Sequence, residues 1–180
     1  MARTFRNAIA VVVLGLAVTA RAGEMDKHAG PPAEPPDARF EALKALAGEW
    51  EGKAKQDGKA VEGTTKATIK VVSGGSAVML VTDPGTPHEM VTMFHRDDGA
   101  LLATHYCAGM NQPRLRARAG DGPNAIAFEF QDGTNLKAHP GRMEGLVIAT
   151  PKAGSHLQTW TYRDGATSST MQMELTRAGR

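Results

Sequence analysis

The sequence predicts an all-β protein, a single antiparallel meander barrel of about ten strands with one short helix before the first strand. Three observations predict it. From residue 49 onwards, apolar and polar residues alternate with a period of two, in segments about ten residues apart. Turn signals, most often Asp-Gly, separate the segments, and such short connections join antiparallel neighbours. No second helix of useful length interrupts them. A meander of this kind loses its exposed edges by closing into a barrel, and a two-sheet sandwich is the alternative.

The N-terminus has the features of a secretory signal peptide over residues 1–22. Arg3 and Arg6 supply positive charge, Ala8 to Val18 is apolar, and Ala20-Arg21-Ala22 places small residues at the two positions that signal peptidase reads. The apolar run is shorter than the roughly 20 residues that a membrane span needs. We therefore expect cleavage near Ala22, export to the periplasm or the medium, and no membrane-spanning segment.

A linker and a helix are expected next. Residues 23–37 combine prolines and charges with almost no apolar side chains, which predicts a flexible linker. Asp37 is a suitable N-cap, and Phe40, Leu43 and Leu46 follow at helical spacing. The pattern predicts a helix from about Ala38 to Leu46, and residues 38–180 form the barrel domain.

Ten strand segments follow this helix. The predicted segments are Glu49 to Gln56, Ala60 to Val72, Ala77 to Thr82, Glu89 to Arg96, Ala100 to Cys107, Arg114 to Ala119, Ala125 to Gln131, Met143 to Thr150, His156 to Arg163 and Ser169 to Arg177. The fourth and fifth, joined at Asp97-Asp98-Gly99, form the clearest hairpin.

The charge balance argues against a nucleic-acid partner. The chain has 21 basic and 19 acidic side chains. Three of the basic residues (Arg3, Arg6 and Arg21) and none of the acidic ones lie in the signal peptide, so the mature chain keeps 18 basic side chains against 19 acidic. Phosphate binding needs a basic surplus. Cys107 is the single cysteine, so no intrachain disulfide forms, and we expect a monomer or a homodimer.

The segment Leu46-Ala47-Gly48-Glu49-Trp50-Glu51-Gly52 follows the predicted helix and opens the first strand. This Leu-x-Gly-x-Trp-x-Gly arrangement resembles the start of lipocalin-like (calycin) barrels, which include fatty-acid-binding and nitrobindin-like domains. The resemblance implies that Trp50 plugs the closed end of the barrel, while Gly48 and Gly52 let backbone pass close by.

A second stretch, from Met90 through His95 and Thr104-His105-Tyr106-Cys107 to Arg114, is similar to exported bacterial lipocalin-like proteins of unknown function. This likeness implies a fold and brings no activity. Nitrobindin-like domains hold haem through a late histidine. The last predicted strand here has none, and His156 is the only late candidate, so no haem or other cofactor is predicted.

The hairpin and its exit are dense in polar side chains, and one residue of register decides which of them meet. With a three-residue turn at Asp97 to Gly99, Val91 lies opposite His105 and His95 shares its face. With a two-residue turn at Asp98-Gly99, Thr92 lies opposite His105 and His95 faces the other side.

Three kinds of chemistry are open to these residues. His95 and His105 could bind a metal with Cys107, although the spacing matches no metal signature and no metal site is predicted. His95, His105 and Tyr106 could act as acid-base groups on a small molecule. The same region could instead supply the polar contacts of an apolar pocket, with Arg114 reaching an anion.

We expect the third of these, an exported binding protein that holds a small, mostly apolar ligand, with or without an anionic group, inside the barrel. Methionines spread over several strands would suit a flexible ligand. The predicted ligand-binding residues are Met93, Thr104, His105, Tyr106, Gln112, Arg114 and Trp160. One alternative is an enzyme that uses His95, His105 and Tyr106, although no catalytic motif supports it. Another is an interaction module whose barrel is a solid scaffold.

Overall fold

The computed structural model describes residues 35–179, which form a closed antiparallel barrel. Helix α1 (Ala38–Ala45) precedes the first strand. Eleven strands follow within the described residues, and ten of them build the barrel wall, because β2 has only two residues. The strands are β1 (Gly48–Gln56), β2 (Lys59–Ala60), β3 (Thr65–Val72), β4 (Ala77–Thr82), β5 (Met90–Asp97), β6 (Ala100–Tyr106), β7 (Gln112–Ala117), β8 (Ala125–Thr134), β9 (Arg142–Ala149), β10 (Ser155–Asp164) and β11 (Thr167–Arg177).

The strand order confirms the predicted meander barrel. Each strand from β3 to β10 pairs with the next strand in the chain, and β3 also pairs with β1. The short β2 forms a hairpin with β1. The wall closes where β1 pairs with β11, from Trp50 opposite Arg177 to Gln56 opposite Met171. This closure rules out the two-sheet sandwich.

The closing seam depends on Gly52. A Cβ atom at this position would lie 1.8 Å from the backbone oxygen of Glu174 on β11. Only a residue without a side chain therefore lets β1 approach β11 here. The predicted close approach at Gly52 is present, and the backbone that passes close to this glycine is that of β11. At Gly48 the neighbour is the Arg177 guanidinium.

The β5–β6 hairpin has a two-residue turn at Asp98-Gly99. Both residues have positive φ, 45° and 80°. Two-residue hairpin loops of type I′ need positive φ at both positions, and Asp-Gly is a preferred sequence for them. This turn sets the register in which Thr92 lies opposite His105 and His95 lies opposite Leu102.

The predicted strand from Ala60 to Val72 is wrong in its first half. Residues 61–64 are exposed and belong to no strand, and Gly63 has a φ of 92°. The segment leaves the sheet after the short β2 and rejoins it at Thr65. The remaining predicted strands agree with the observed ones to within three residues at each end.

Helix α1 closes one end of the core. Asp37 is its N-cap, as predicted, and its side chain accepts a hydrogen bond of 2.9 Å from the backbone nitrogen of Arg39. Phe40 and Leu43 are buried with Trp50 in a single apolar cluster. The indole Nε1 of Trp50 donates to the backbone oxygen of Leu46 at 2.8 Å, which joins the helix end to β1.

The predicted signal peptide and most of the predicted linker lie outside the described residues. Of the linker, only Pro35 to Asp37 is described, and it has no regular secondary structure. Within residues 35–179, no helix is both long enough and apolar enough to cross a bilayer.

Candidate functional site

His105 points into the barrel, and His95 does not. Inward-facing residues on β6 are Leu101, Ala103 and His105, which are at most 1% exposed. Opposite His105 is Thr92, also 1% exposed. His95 pairs with Leu102 on the other face of the hairpin. The two histidines are therefore separated by the barrel wall.

His105 is held as a neutral imidazole. Its Nδ1 lies 2.8 Å from Thr92 Oγ1, and its ring centroid lies 5.0 Å from that of Trp160. The buried Nε2 has no hydrogen-bond partner among the described residues. Burial lowers the pKa of His105 from 6.5 to about 4, because the charged form loses its hydration.

A series of hydrogen-bonded side chains runs along β10, where alternate residues share the inner face. Trp160 Nε1 donates to Gln158 Oε1 at 3.0 Å, and the Gln158 amide nitrogen lies 3.0 Å from His156 Nε2. Because the Gln158 oxygen is the acceptor for Trp160, its amide nitrogen donates to His156 Nε2. The proton of the neutral His156 ring is therefore on Nδ1.

This series of hydrogen-bonded side chains extends from Trp160, next to His105, to the end of the barrel that helix α1 closes. The His156 ring packs edge-on against Trp50 with centroids 4.4 Å apart. Burial, and then the positive charge of Arg177, lower the pKa of His156 to about 4. The sequence offers His156 as a candidate only for haem, and Gln158 was not predicted to lie in the site. The period of two along His156, Gln158 and Trp160 was the signal that places them on one face.

Methionines line a cavity at the barrel end away from helix α1. This space, which we name the methionine cavity, has a volume of about 480 Å³. Its apolar wall consists of Met90, Met143, Trp160, Met171 and Met173.

The polar part of the same lining consists of Gln56, Thr82, Asp83 and His88. These residues come from β1, the end of β4 and the β4–β5 connection. A second space of about 250 Å³, the side cavity, shares Asp83, His88, Met171 and Met173 with the methionine cavity. The four shared residues form the boundary between the two spaces.

Only Trp160 of the predicted ligand-binding residues lines the methionine cavity. His105 lies behind it, in ring contact with Trp160. Met93 and Thr104 pair with each other on the hairpin face opposite His105. The two-residue turn places Met93 on the face opposite His105, and Thr104 lies there because neighbouring residues of a strand face opposite sides.

Tyr106 and Arg114 are also outside the cavity. Tyr106 is 50% exposed. Arg114 forms a bidentate ion pair with Asp132 on the surface, with its side chain 50% exposed. This pairing raises the pKa of Arg114 and lowers that of Asp132. Arg114 is therefore not an internal anion site. His95, His105 and Tyr106 also fail to meet, because only His105 points inward.

The exit of the hairpin has a structural role. Asn111 is fully buried, and its Nδ2 donates to the backbone oxygens of His139 and Gly141 at 2.7 and 2.6 Å. This amide ties the β6–β7 turn to the β8–β9 connection. The predicted ligand residue Gln112 accepts a hydrogen bond from Thr134 across β7 and β8.

Cys107 is a half-buried free thiol whose sulfur accepts from the backbone nitrogen of Gly109 at 3.3 Å. Within residues 35–179, no three His, Cys, Asp or Glu side chains gather in an arrangement that could hold a metal ion.

No protein-family model matches the chain, and no curated protein matches it. What the chain shows by its own structure is a closed ten-stranded antiparallel meander barrel with one short helix before the first strand.

Proposed function

We propose that this chain is an exported lipocalin-like binding protein, and that it holds a small, mostly apolar ligand in the methionine cavity. The observation that carries the proposal is the lining itself, in which four methionines and one tryptophan from four different strands face one space. The volume of about 480 Å³ falls within the range of roughly 300–1,000 Å³ that is usual for small-molecule pockets.

The chemistry of the lining supports an apolar and flexible ligand. Methionine has three rotatable bonds and a polarizable sulfur, so a methionine wall adapts to ligands of different shape. Burial of apolar ligand surface contributes roughly 25 cal/mol per Å² before the costs of binding are subtracted. Trp160 adds a rigid flat wall, because its Nε1 is fixed by Gln158.

The test is a titration with N-phenyl-1-naphthylamine, a neutral dye whose fluorescence rises in apolar surroundings. Saturable binding with one dye per chain is the expected result. Met90→Gln and Met171→Gln keep the side-chain length and place an amide in the lining, so we expect them to weaken dye binding about tenfold. Both residues are half-buried, which limits the cost to folding.

The matched control is Met79→Gln. Met79 is also half-buried, but it lies on β4 between the inward-facing Val78 and Leu80 and lines neither cavity. It should bind the dye like the wild type. Absence of saturable binding, or equal weakening by all three variants, would overturn the proposal.

Export and ligand identity are tested on protein purified from its own source. Its intact mass should correspond to a chain that starts at Gly23, after cleavage at Ala22. Native mass spectrometry of the same sample should show an added organic mass on the monomer or on each subunit of a homodimer. The proposal includes no haem or metal, so a haem or metal mass would contradict it.

A further inference from the structure

Carboxylate side chains line both the methionine cavity and the side cavity. Of the described residues that line the methionine cavity and the side cavity, Asp83 and Glu62 carry carboxylates and His88 carries an imidazole. None of these lining residues is lysine or arginine. In the methionine cavity, the carboxylate of Asp83 therefore favours a positive ligand group over a negative one.

The carboxylate of Asp83 is positioned to act on both the methionine cavity and the side cavity. It directly follows β4 and lines both the methionine cavity and the side cavity. Its Oδ1 accepts hydrogen bonds from Thr65 Oγ1 at 2.9 Å and from the backbone nitrogen of Lys66 at 3.1 Å. These two bonds hold the carboxylate in place, and its Oδ2 accepts no hydrogen bond from residues 35–179.

The aromatic wall also favours positive charge. Trp160 lines the methionine cavity, and the face of an indole ring attracts organic cations. The basic residue that the sequence suggested for an anion, Arg114, is bound to Asp132 outside the barrel. Among the described residues, the lining of the methionine cavity therefore combines an apolar wall with a carboxylate and an aromatic ring, and it contains no lysine or arginine.

We infer that the ligand of this cavity is a cationic amphiphile, an apolar chain with an amine or quaternary ammonium head, and that fatty acids are disfavoured. The head lies at Asp83 and the chain lies against the methionines. This inference rests on the proposed function, and it adds the sign of the ligand charge.

The test compares three ligands with the same twelve-carbon chain in displacement of N-phenyl-1-naphthylamine below their micelle concentrations. Dodecyltrimethylammonium should displace the dye at a concentration about five- to tenfold lower than dodecanol, because it gains the attraction of a partly solvated carboxylate. Dodecanoate should need a concentration higher than dodecanol, because its charge is repelled.

Asp83→Asn tests the assigned group. Asparagine keeps an oxygen acceptor for Thr65 and Lys66 and tolerates the positive φ of 47° at this position, so the fold should be retained. The variant should bind dodecanol like the wild type and lose the preference for dodecyltrimethylammonium. Glu89→Gln is the matched control, since Glu89 belongs to the same connection and lines neither cavity. It should keep the preference.

The outcomes separate the two proposals. If the dye itself does not bind, the proposed function fails. If the dye binds but dodecanoate competes as well as or better than dodecyltrimethylammonium, the cation inference fails while the proposed function stands. An unchanged preference in Asp83→Asn would also overturn the inference.

Discussion

Two buried neutral histidines make the stability of the barrel depend on pH. The pKa values of His105 and His156 are lowered from 6.5 to about 4 in the folded state. Between these values the unfolded chain binds a proton at each ring and the folded chain does not. Falling pH therefore favours unfolding. The two rings leave the free energy of unfolding almost unchanged above pH 6.5 and lower it progressively as the pH falls from 6.5 towards 4. Below pH 4 they lower it no further.

The size of the effect follows from the two pKa values. At pH 7 these rings are neutral in the folded state and mostly neutral in the unfolded state, whereas at pH 5 the unfolded state is almost fully protonated. Each histidine then lowers the free energy of unfolding by about 2 kcal/mol, and both together by about 4 kcal/mol. This is a large part of the roughly 5–15 kcal/mol that stabilises a typical domain.

The assay is urea unfolding at pH 7 and pH 5, followed by far-ultraviolet circular dichroism. The double variant His105→Gln/His156→Gln removes both titrating rings, so its stability should change little between the two pH values. Each single variant should keep about half of the wild-type loss. The exposed-loop variant His88→Gln is the control and should keep the whole loss.

Carboxylates do not produce this difference. Asp37, Asp132 and Glu174 have pKa values lowered by their partners Arg39, Arg114 and Lys55, so their contribution to stability is lost only below about pH 4.5. They are also unchanged in the double variant. An equal loss of stability in the wild type and the double variant would refute the reasoning.

Three further substitutions should lower the free energy of unfolding in urea. Gly52→Ala should cost about 3 kcal/mol, because its Cβ would overlap the Glu174 backbone oxygen and force β1 away from β11. Trp50→Phe should cost about 1–2 kcal/mol, because the buried carbonyl of Leu46 loses its donor. Asn111→Ala should cost about 2–3 kcal/mol, because two backbone oxygens lose the same amide.

Matched controls separate these causes from the loss of a residue type. Gly122→Ala adds a Cβ with no atom within 4 Å and should leave stability unchanged. Tyr106→Phe alters a half-exposed ring, and Asn124→Ala alters an exposed amide, so both should stay within about 0.5 kcal/mol of the wild type. A control that loses as much as its partner variant would contradict the corresponding contact.

Most of the fold could be predicted from local patterns. The strand Ala77–Thr82 was predicted to the residue, because a short apolar run is bounded on both sides by turn residues. The Ala60 to Val72 segment was predicted too long, because the sequence does not show that Gly63 adopts a positive φ and leaves the sheet. Closure at β1 and β11 could be expected from the number of strands, whereas the seam at Gly52 needed coordinates.

The inward face of the hairpin could not be predicted. Residues 100–103 are at most 9% exposed on both faces of β6, so burial does not alternate and gives no parity. Which residues of β5 share a face with His105 depends on whether the turn has two or three residues, and the sequence Asp97-Asp98-Gly99 allows both. Met93 shares a face with His105 only if the turn has three residues, whereas Thr104 lies on the opposite face from its neighbour His105 with either turn.

The methionine cavity was beyond sequence reasoning for a related reason. Met90, Met143 and Met171 lie on β5, β9 and β11, far apart in the chain. They lie at the same end of the barrel because of the combined register of all the strand pairs between them. The sequence showed many methionines on strands, and the structure shows which of them share one space.

The most direct test of the central claim is a nuclear magnetic resonance titration of protein labelled with carbon-13 in its methionine methyl groups. On addition of dodecyltrimethylammonium, the signals of Met90, Met143, Met171 and Met173 should shift together and saturate, while those of Met79, Met93 and Met110 stay in place. A ligand site in the methionine cavity would be contradicted if only the signals of Met79, Met93 and Met110 shifted. It would also be contradicted if neither dodecyltrimethylammonium nor dodecanol produced a saturable shift in the signals of the methionines that line the cavity.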